Sequence, residues 1–138
     1  MIDYQKIKKF ETIKATRTTG ASLHVTKTSN GIRLRFNTEL AKKLGIDKDF
    51  IKHGKTLQIL HDDQVVYMGE SILEDAPHYK VKGDENRQII YSAEIGNALL
   101  NMSGKTLDKN KTRCFYGITF DTSKDDKCVA VIDPKKFQ

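Results

Sequence analysis

Side chains that could contact a ligand are concentrated in the first third of this 138-residue chain. Lys27, Arg33 and Arg35 lie in segments where apolar and polar residues alternate, and Lys42 and Lys43 follow closely. An arginine that points outward from a strand can bond bidentately to a guanine edge or grip a phosphate. The pattern therefore predicts a DNA-contacting surface. The alternative is a solvated strand face whose cations pair with carboxylates.

The distribution of charge supports a nucleic-acid partner. The whole chain has 24 Lys and Arg against 18 Asp and Glu, a net charge of +6. Residues 1–60 hold 13 basic and 5 acidic side chains, which gives +8, whereas residues 61–138 hold 11 and 13, which gives −2. One positive face is therefore predicted, and counterion release would reward its contact with phosphates. Lys14, Arg17 and His24 would extend this face, although a basic surface can also serve solubility alone.

Motifs for catalysis or metal binding are incomplete in this sequence. The segment Gly54-Lys55-Thr56 resembles the end of a phosphate-binding loop, but Asp49 stands where that loop needs a glycine. The four histidines lack metal-ligand spacing, and Cys114 and Cys128 form no C-x-x-C pair, which predicts reduced thiols in strands. We therefore predict a non-enzymatic protein that needs no metal and no cofactor.

The apolar spacing predicts two similar sets of elements. The first set comprises strands at 21–27 and 32–36, a helix capped by Asn37 or Thr38 and closed by Gly45, and strands at 57–60 and 65–68. The second set comprises strands at 78–82 and 88–91, a helix at 93–102 capped by Ser92, and strands at 113–120 and 128–132. The order ββαββ thus occurs twice, although many small α+β proteins can be divided in a similar way.

Two sequence shifts align the two sets. A shift of 55 residues places Phe36 on Tyr91, and a shift of 63 places the acidic turn Asp62-Asp63 on Asp125-Asp126. One set of elements cannot bury the apolar face of its strands by itself, so the two sets are expected to pack into one small barrel.

The aromatic residues divide into two predicted groups. Phe36, Tyr91 and Phe120 are predicted to lie in the core. Tyr67, Tyr79 and Tyr116 could instead stack on single-stranded bases if their rings are exposed.

Residues 33–46 read RLRFNTELAKKLGI, a strand with an outward arginine that leads into an E-L-x-x-x-L-G-I helix. This segment resembles AbrB-like transition-state regulators and related antitoxins, and the resemblance extends over about residues 21–70. It implies a swapped-hairpin barrel that binds DNA. The positions that match the family's basic contact residues are Lys27, Arg33 and Lys42, and this sequence adds Arg35 and Lys43.

The resemblance and the repeat together predict an α+β, β-rich fold. Tandem ββαββ repeats would form a small swapped-hairpin-like barrel within one chain. Residues 1–20 would be an N-terminal arm or short helix, 21–76 the first AbrB-like half, and 77–138 a degenerate second half that shares its core. The second half has Gln88 and Asn97 where the first has Arg33 and Lys42.

We therefore expect a cytoplasmic DNA-binding protein, a transcriptional regulator, with double-stranded DNA as its partner. The chain has no membrane-spanning apolar run and no apolar N-terminal leader. Two alternatives remain open, namely a phage or mobile-element accessory protein that binds a host protein or nucleoprotein, and a single-stranded nucleic-acid-binding protein. A homodimer is compatible with each of them.

Overall fold

A computed structural model describes residues 5, 20–84, 86–124 and 127–138 of the chain. The predicted arm or short helix at 1–20, including Lys14 and Arg17, therefore lies outside the described residues apart from Gln5 and Gly20. The acidic pair Asp125-Asp126 also lies outside them.

The described part of the chain contains ten strands and three short helices. The strands are β1 Leu23–Thr28, β2 Gly31–Phe36, β3 Thr56–His61, β4 Val66–Gly69, β5 Tyr79–Lys80, β6 Lys82–Asp84, β7 Arg87–Tyr91, β8 Thr112–Phe115, β9 Thr119–Lys124 and β10 Lys127–Ile132. The helices are α1 Thr38–Lys43, α2 Lys48–Lys52 and α3 Ala93–Ser103. This composition agrees with the predicted β-rich α+β class.

The strands form two five-stranded antiparallel sheets. The first sheet has the order β6-β7-β2-β1-β8, and the second has the order β5-β3-β4-β10-β9. Side chains from both sheets and from the helices join one hydrophobic core, in which Leu34 and Ile90 of the first sheet meet the same cluster as Leu57 and Ile132 of the second. The core therefore lies against the inner face of the first sheet.

The alternation along β2 is confirmed. Ile32, Leu34 and Phe36 are buried, while Arg33 and Arg35 on the opposite face are half-buried. Period-two alternation puts successive side chains on opposite faces of a sheet, so the apolar set fixes the side on which both arginines emerge.

The helix caps follow the sequence prediction. The Asn37 side-chain oxygen accepts hydrogen bonds from the backbone amides of Leu40 (2.8 Å) and Ser22 (3.1 Å), and its amide donates to the carbonyl of Gly20 (2.9 Å). Gly45 follows α1 with φ +72°, a conformation that glycine adopts at low cost. One residue thus begins α1 and also ties it to the chain before β1.

Two stretches differ from the predicted strands. The single strand predicted at 113–120 is wrong, because β8 and β9 belong to different sheets. The chain changes sheet around Gly117, whose φ of +63° is strained for residues with a side chain. The strand predicted at 78–82 is likewise divided into β5 and β6 by the buried Val81.

The segment between β4 and β5 is held by one buried side chain. The Gln58 carbonyl oxygen accepts from the amides of Ile72 and Leu73, the latter at 2.9 Å. Its amide nitrogen donates to the carbonyl oxygens of Leu73 (2.6 Å) and Ala76 (3.3 Å). Gln58 is only 1% exposed, so water cannot replace these bonds without opening the segment.

We expect Gln58→Leu to lower the free energy of unfolding by about 1–3 kcal/mol, because it leaves backbone polar groups without partners. Chemical denaturation would measure this loss, and limited proteolysis should show faster cleavage at 70–78. Gln58→Glu keeps the two accepted hydrogen bonds but cannot donate when it is ionised. Comparing the two variants therefore separates the effect of the accepted bonds from that of the donated bonds. A Gln58→Leu variant as stable as the parent would contradict the assignment.

Candidate nucleic-acid interface

The first sheet presents a polar surface on the side away from the core, here called the outer face. Cross-strand partners in an antiparallel pair share a face, so the outer face can be read from the strand registers. Its members include His24, Thr26, Arg33, Arg35, Lys82, Asp84, Arg87, Ile89, Tyr91, Thr112 and Cys114.

Arg33 and Arg35 lie near the middle of this face. Arg33 is opposite Thr26 on one side and Tyr91 on the other. Arg35 lies in the same way between His24 and Ile89. The ion pairs among the described residues are Lys55–Glu70 and His61–Asp63, so neither arginine has a carboxylate partner within that set. The alternative of cations neutralised by neighbouring carboxylates therefore finds no support in the described residues.

The second half of the chain adds cations to the same face. Lys82 is opposite Ile89, and Arg87 is opposite Asp84. The described strands thus place four cations and one carboxylate on the outer face. Gln88, which the sequence analysis aligned with Arg33, is buried with only 5% exposure on the inner side. The positive charge therefore comes from both halves.

His24 is a titratable group beside the arginines. Its Nε2 lies 3.2 Å from the Ser22 hydroxyl, and its strand neighbours are Arg35 and Cys114. Burial, and after it the charge of Arg35, hold the pKa of His24 below its usual value of 6.5. His24 is therefore neutral at pH 7 and adds no charge to the face. Burial also raises the pKa of Cys114, which is a free thiol like Cys128, so neither is an activated nucleophile.

The other predicted contact residues are divided among different surfaces. Lys42 lines a groove of about 620 Å³ together with Arg35, so these two cations border one space. Lys43 points elsewhere, with its Nζ 5.9 Å from the centre of the Phe120 ring. Lys27 is opposite the buried Ile32, so its side chain leaves β1 on the face opposite to Arg33 and Arg35. The structure thus places Arg33 and Arg35 on one face and Lys42 with Arg35 at one groove, whereas Lys27 and Lys43 lie apart from the two arginines.

Tyr91 is a member of the outer face that the sequence analysis placed wrongly. It was predicted to lie in the core, but it is 60% exposed, and Lys82 Nζ lies 5.8 Å from its ring centre. The alignment at a shift of 55 does not reveal this error, because it equates the inward Phe36 with the outward Tyr91. The register itself, in which Tyr91 is opposite Arg33, identifies the face correctly.

The other aromatic predictions have mixed outcomes. Phe36 is buried and Phe120 packs partly buried against the core, as predicted. Tyr67, Tyr79 and Tyr116 are half-buried rather than fully exposed. Tyr91 is therefore a better candidate for base stacking than any of these three.

The acidic turn between β3 and β4 has a structural role. The Asp62 carboxylate accepts hydrogen bonds from the amides of Gln64 (3.0 Å) and Val65 (2.9 Å) and from the Tyr67 hydroxyl (2.7 Å). These bonds, with that of Tyr67 the strongest, lower the pKa of Asp62 to about 2. The carboxylate is committed to closing the turn, in which Asp63 has φ +72°.

A lowered pKa in the folded state means that ionised Asp62 stabilises the fold. This contribution is complete above the unfolded pKa of about 3.8 and is lost as the pH falls through about 2. We expect Asp62→Asn to be less stable than the parent at pH 7, with a difference that closes between pH 4 and pH 2. Denaturation measured across this range checks the prediction. Asp63→Asn, which removes a charge from the same turn but none of these bonds, is the matched control.

Comparison with known proteins gives no relative for this arrangement. No family model, no curated protein and no solved structure matches the chain. Among the described residues no group of three or more His, Cys, Asp or Glu side chains could hold a metal ion. None of the helices described has the length and apolar character needed to cross a membrane.

Proposed function

We propose that this chain is a non-enzymatic DNA-binding protein, a transcriptional regulator, that docks onto double-stranded DNA through its outer face. The observation that carries the proposal is the pair Arg33 and Arg35. These two residues are half-buried on one face, beside the apolar Ile89, without a carboxylate partner among the described residues. A phosphate or a guanine edge would supply the bidentate acceptor that the described residues do not provide.

The proposed mechanism has two stages. The cations first attract the duplex and displace its condensed counterions, which gives binding that is independent of sequence and sensitive to salt. Arg33 and Arg35 then make contacts within a groove, where a bidentate bond to guanine discriminates between base pairs. Lys42 lines the groove that Arg35 also borders and would add a backbone contact there, beside Lys48 and the carboxylates of Asp47 and Asp49.

The architecture that we propose is a tandem of two halves, 21–76 and 77–138, arranged as a swapped-hairpin barrel similar to that of the AbrB-like family. Strand order supports it. In the first sheet the hairpins β1-β2 and β6-β7 meet through β2 and β7, and in the second β3-β4 and β9-β10 meet through β4 and β10. Each sheet thus combines one hairpin from each half. One chain would then form the unit that a single-repeat protein forms as a dimer.

The proposed repetition is one of element order and not of residue register. The shift of 55 does align two helix caps, since Asn37 and Ser92 both accept a hydrogen bond from the amide three residues later. It does not align the strand faces, as Phe36 and Tyr91 show. The shift of 63 fails in the same way, because it equates the buried Val66 with the half-buried Val129. In the pairs β2-β7 and β4-β10 the core-facing residues of both strands have even numbers, so only an even shift would align their faces.

A fluorescence-anisotropy titration with random duplex DNA at two salt concentrations tests the function. We expect binding that weakens steeply as salt rises, since contacts to several phosphates give a logarithmic slope of about −0.9 for each. No binding to duplex at low salt would overturn the proposal. A pull-down would then test for a protein partner in place of DNA.

A further inference from the structure

Tyr91 is an aromatic residue whose ring is exposed on the outer face. It is the last residue of β7, and 60% of its surface is open to solvent. The Lys82 ammonium group lies 5.8 Å from the ring centre, and Arg33 is its direct cross-strand partner. Aromatic rings usually contribute buried area, whereas this ring lies on the outer face beside Arg33 and Lys82, which have no carboxylate partner among the described residues.

The chemistry of this ring limits what it can contact in DNA. In a duplex the flat faces of the bases are covered by their stacked neighbours, and only base edges and phosphates are accessible in the grooves. An unpaired base has free faces that can stack on an aromatic side chain, and a basic surface beside such rings is typical of single-stranded nucleic-acid sites. Phosphate contacts need cations, which Lys82 and Arg33 supply beside the ring.

We propose that Tyr91 is a stacking site for an unpaired nucleobase, so that DNA held by the outer face is single-stranded at that point. This inference rests on the proposed function, because it uses the same face. Arg33 and Arg35 point the same way along β2, about 7 Å apart at the rise of an extended strand. On a single strand they would contact the phosphates beside the stacked base, and on a duplex they would make the groove contacts proposed above. The outer face would therefore contact both the sugar–phosphate backbone of the DNA and one unpaired base.

A different role for Tyr91 predicts a different result. Its hydroxyl could donate a hydrogen bond to a phosphate, and in that case Tyr91→Phe would weaken binding as much as Tyr91→Leu. Stacking depends on the ring alone, so Tyr91→Phe should bind like the parent. Since Tyr91 lies on the surface, neither substitution removes a core contact.

The experiment compares two fluorescent strands of roughly 12 nucleotides, one of thymidines and one of abasic sites with the same number of phosphates. The full-length protein and its Tyr91→Phe and Tyr91→Leu variants are titrated with each strand. We expect the parent and Tyr91→Phe to prefer the strand with bases. Tyr91→Leu should lose roughly 5- to 150-fold in affinity for that strand, and its affinity for the abasic strand should not change.

Each of the other possible results of these titrations contradicts one part of the proposal. Equal affinity of the parent for the two strands would overturn the stacking site and leave the proposed function standing. A preference that survives Tyr91→Leu would overturn the assignment to Tyr91. Equal losses in Tyr91→Phe and Tyr91→Leu would replace stacking by a phosphate contact. Failure of the parent to bind either strand or duplex DNA would overturn the proposed function as well.

Intrinsic fluorescence gives a second readout. The chain has no tryptophan and five tyrosines, so its emission comes from tyrosine. Stacking of a base on Tyr91 should quench part of this emission when the thymidine strand is added. The quenching should be smaller in Tyr91→Phe, although its affinity is retained. Quenching of the same size in both proteins would contradict a base at this ring.

Discussion

Replacing Arg33 and Arg35 together by alanine is expected to weaken binding to duplex DNA by about 1–3 kcal/mol for each arginine. The salt dependence should also become shallower. If each guanidinium group neutralises one phosphate, the slope of the logarithmic affinity against the logarithm of salt falls by about 1.8 in magnitude. Both effects follow from the position of the two side chains, which share the outer face and have no carboxylate partner in the described structure. Titrations at several salt concentrations measure both quantities.

The fold provides a control for this double substitution. Lys27 and Lys43 together carry the same charge, and both were predicted from the sequence to contact DNA. Lys27 leaves the opposite face of β1, and Lys43 lies over the Phe120 ring. The Lys27→Ala, Lys43→Ala double variant should therefore bind nearly as well as the parent. An equal loss of affinity in both double variants would show that net charge, and not the outer face, determines binding.

A lysine replacement separates charge from geometry. Arg33→Lys with Arg35→Lys keeps both positive charges but removes the planar fork that bonds bidentately. We expect this double variant to keep the salt dependence of the parent but to discriminate less strongly between DNA sequences. Binding identical to that of the parent, with the same sequence preference, would mean that the arginines act only as point charges.

Local patterns in the sequence were sufficient to predict the elements that carry the site. The alternation of Ile32, Leu34 and Phe36 with the two arginines determined which face each side chain occupies, because burial of one set forces the other outward. Asn37 and Ser92 were recognised as caps because their side chains satisfy amides that a helix leaves open. These interactions are short in range, so a single sequence contains them.

The pairing of strands that are distant in the sequence could not be predicted from local patterns. The predicted strand at 113–120 has apolar residues on both sides of Gly117, and the sheet order reveals that the chain changes sheet there. Helix α2, which begins after the cap Asp47, has five residues and shows too little periodicity to detect. Tyr91 was predicted to lie in the core together with Phe36 and Phe120, but it is exposed on the outer face. The partner strand decides its face, and strand partners come from distant parts of the chain.

The packing of α3 against β2 leads to the second large prediction. A Cβ atom at Gly96 would overlap Ile32 Cγ2 and would lie 2.8 Å from Ile32 Cβ. The second of these atoms belongs to the fixed stem of a β-branched residue, so no change of rotamer relieves the contact. The amide of Ser92, at the start of α3, also donates to the carbonyl of Ile32 (3.1 Å). Two contacts therefore hold the helix of the second half against a strand of the first.

We expect Gly96→Ala to reduce the free energy of unfolding by about 3 kcal/mol before its helix propensity is considered, since overpacking of a tight core typically costs about 1–3 kcal/mol. Alanine regains up to about 1 kcal/mol because it is the better helix former. The net loss remains a large part of the stability of a small domain. Thermal or chemical denaturation measures it. Asn97→Ala, which changes the next, exposed residue of α3, tests propensity without the clash and should not destabilise the protein.

Relief of the contact distinguishes this explanation from a general effect of the substitution. Ile32→Ala removes Cγ2 and Cδ1, two of the three atoms that the new methyl group would meet. Gly96→Ala should therefore cost less in the Ile32→Ala background than in the parent, a non-additive result that residues in contact produce. Strict additivity would contradict the clash. Because Ile32 directly precedes Arg33 on β2, displacement of α3 should also disturb the outer face, so Gly96→Ala should weaken DNA binding under conditions in which the protein remains folded.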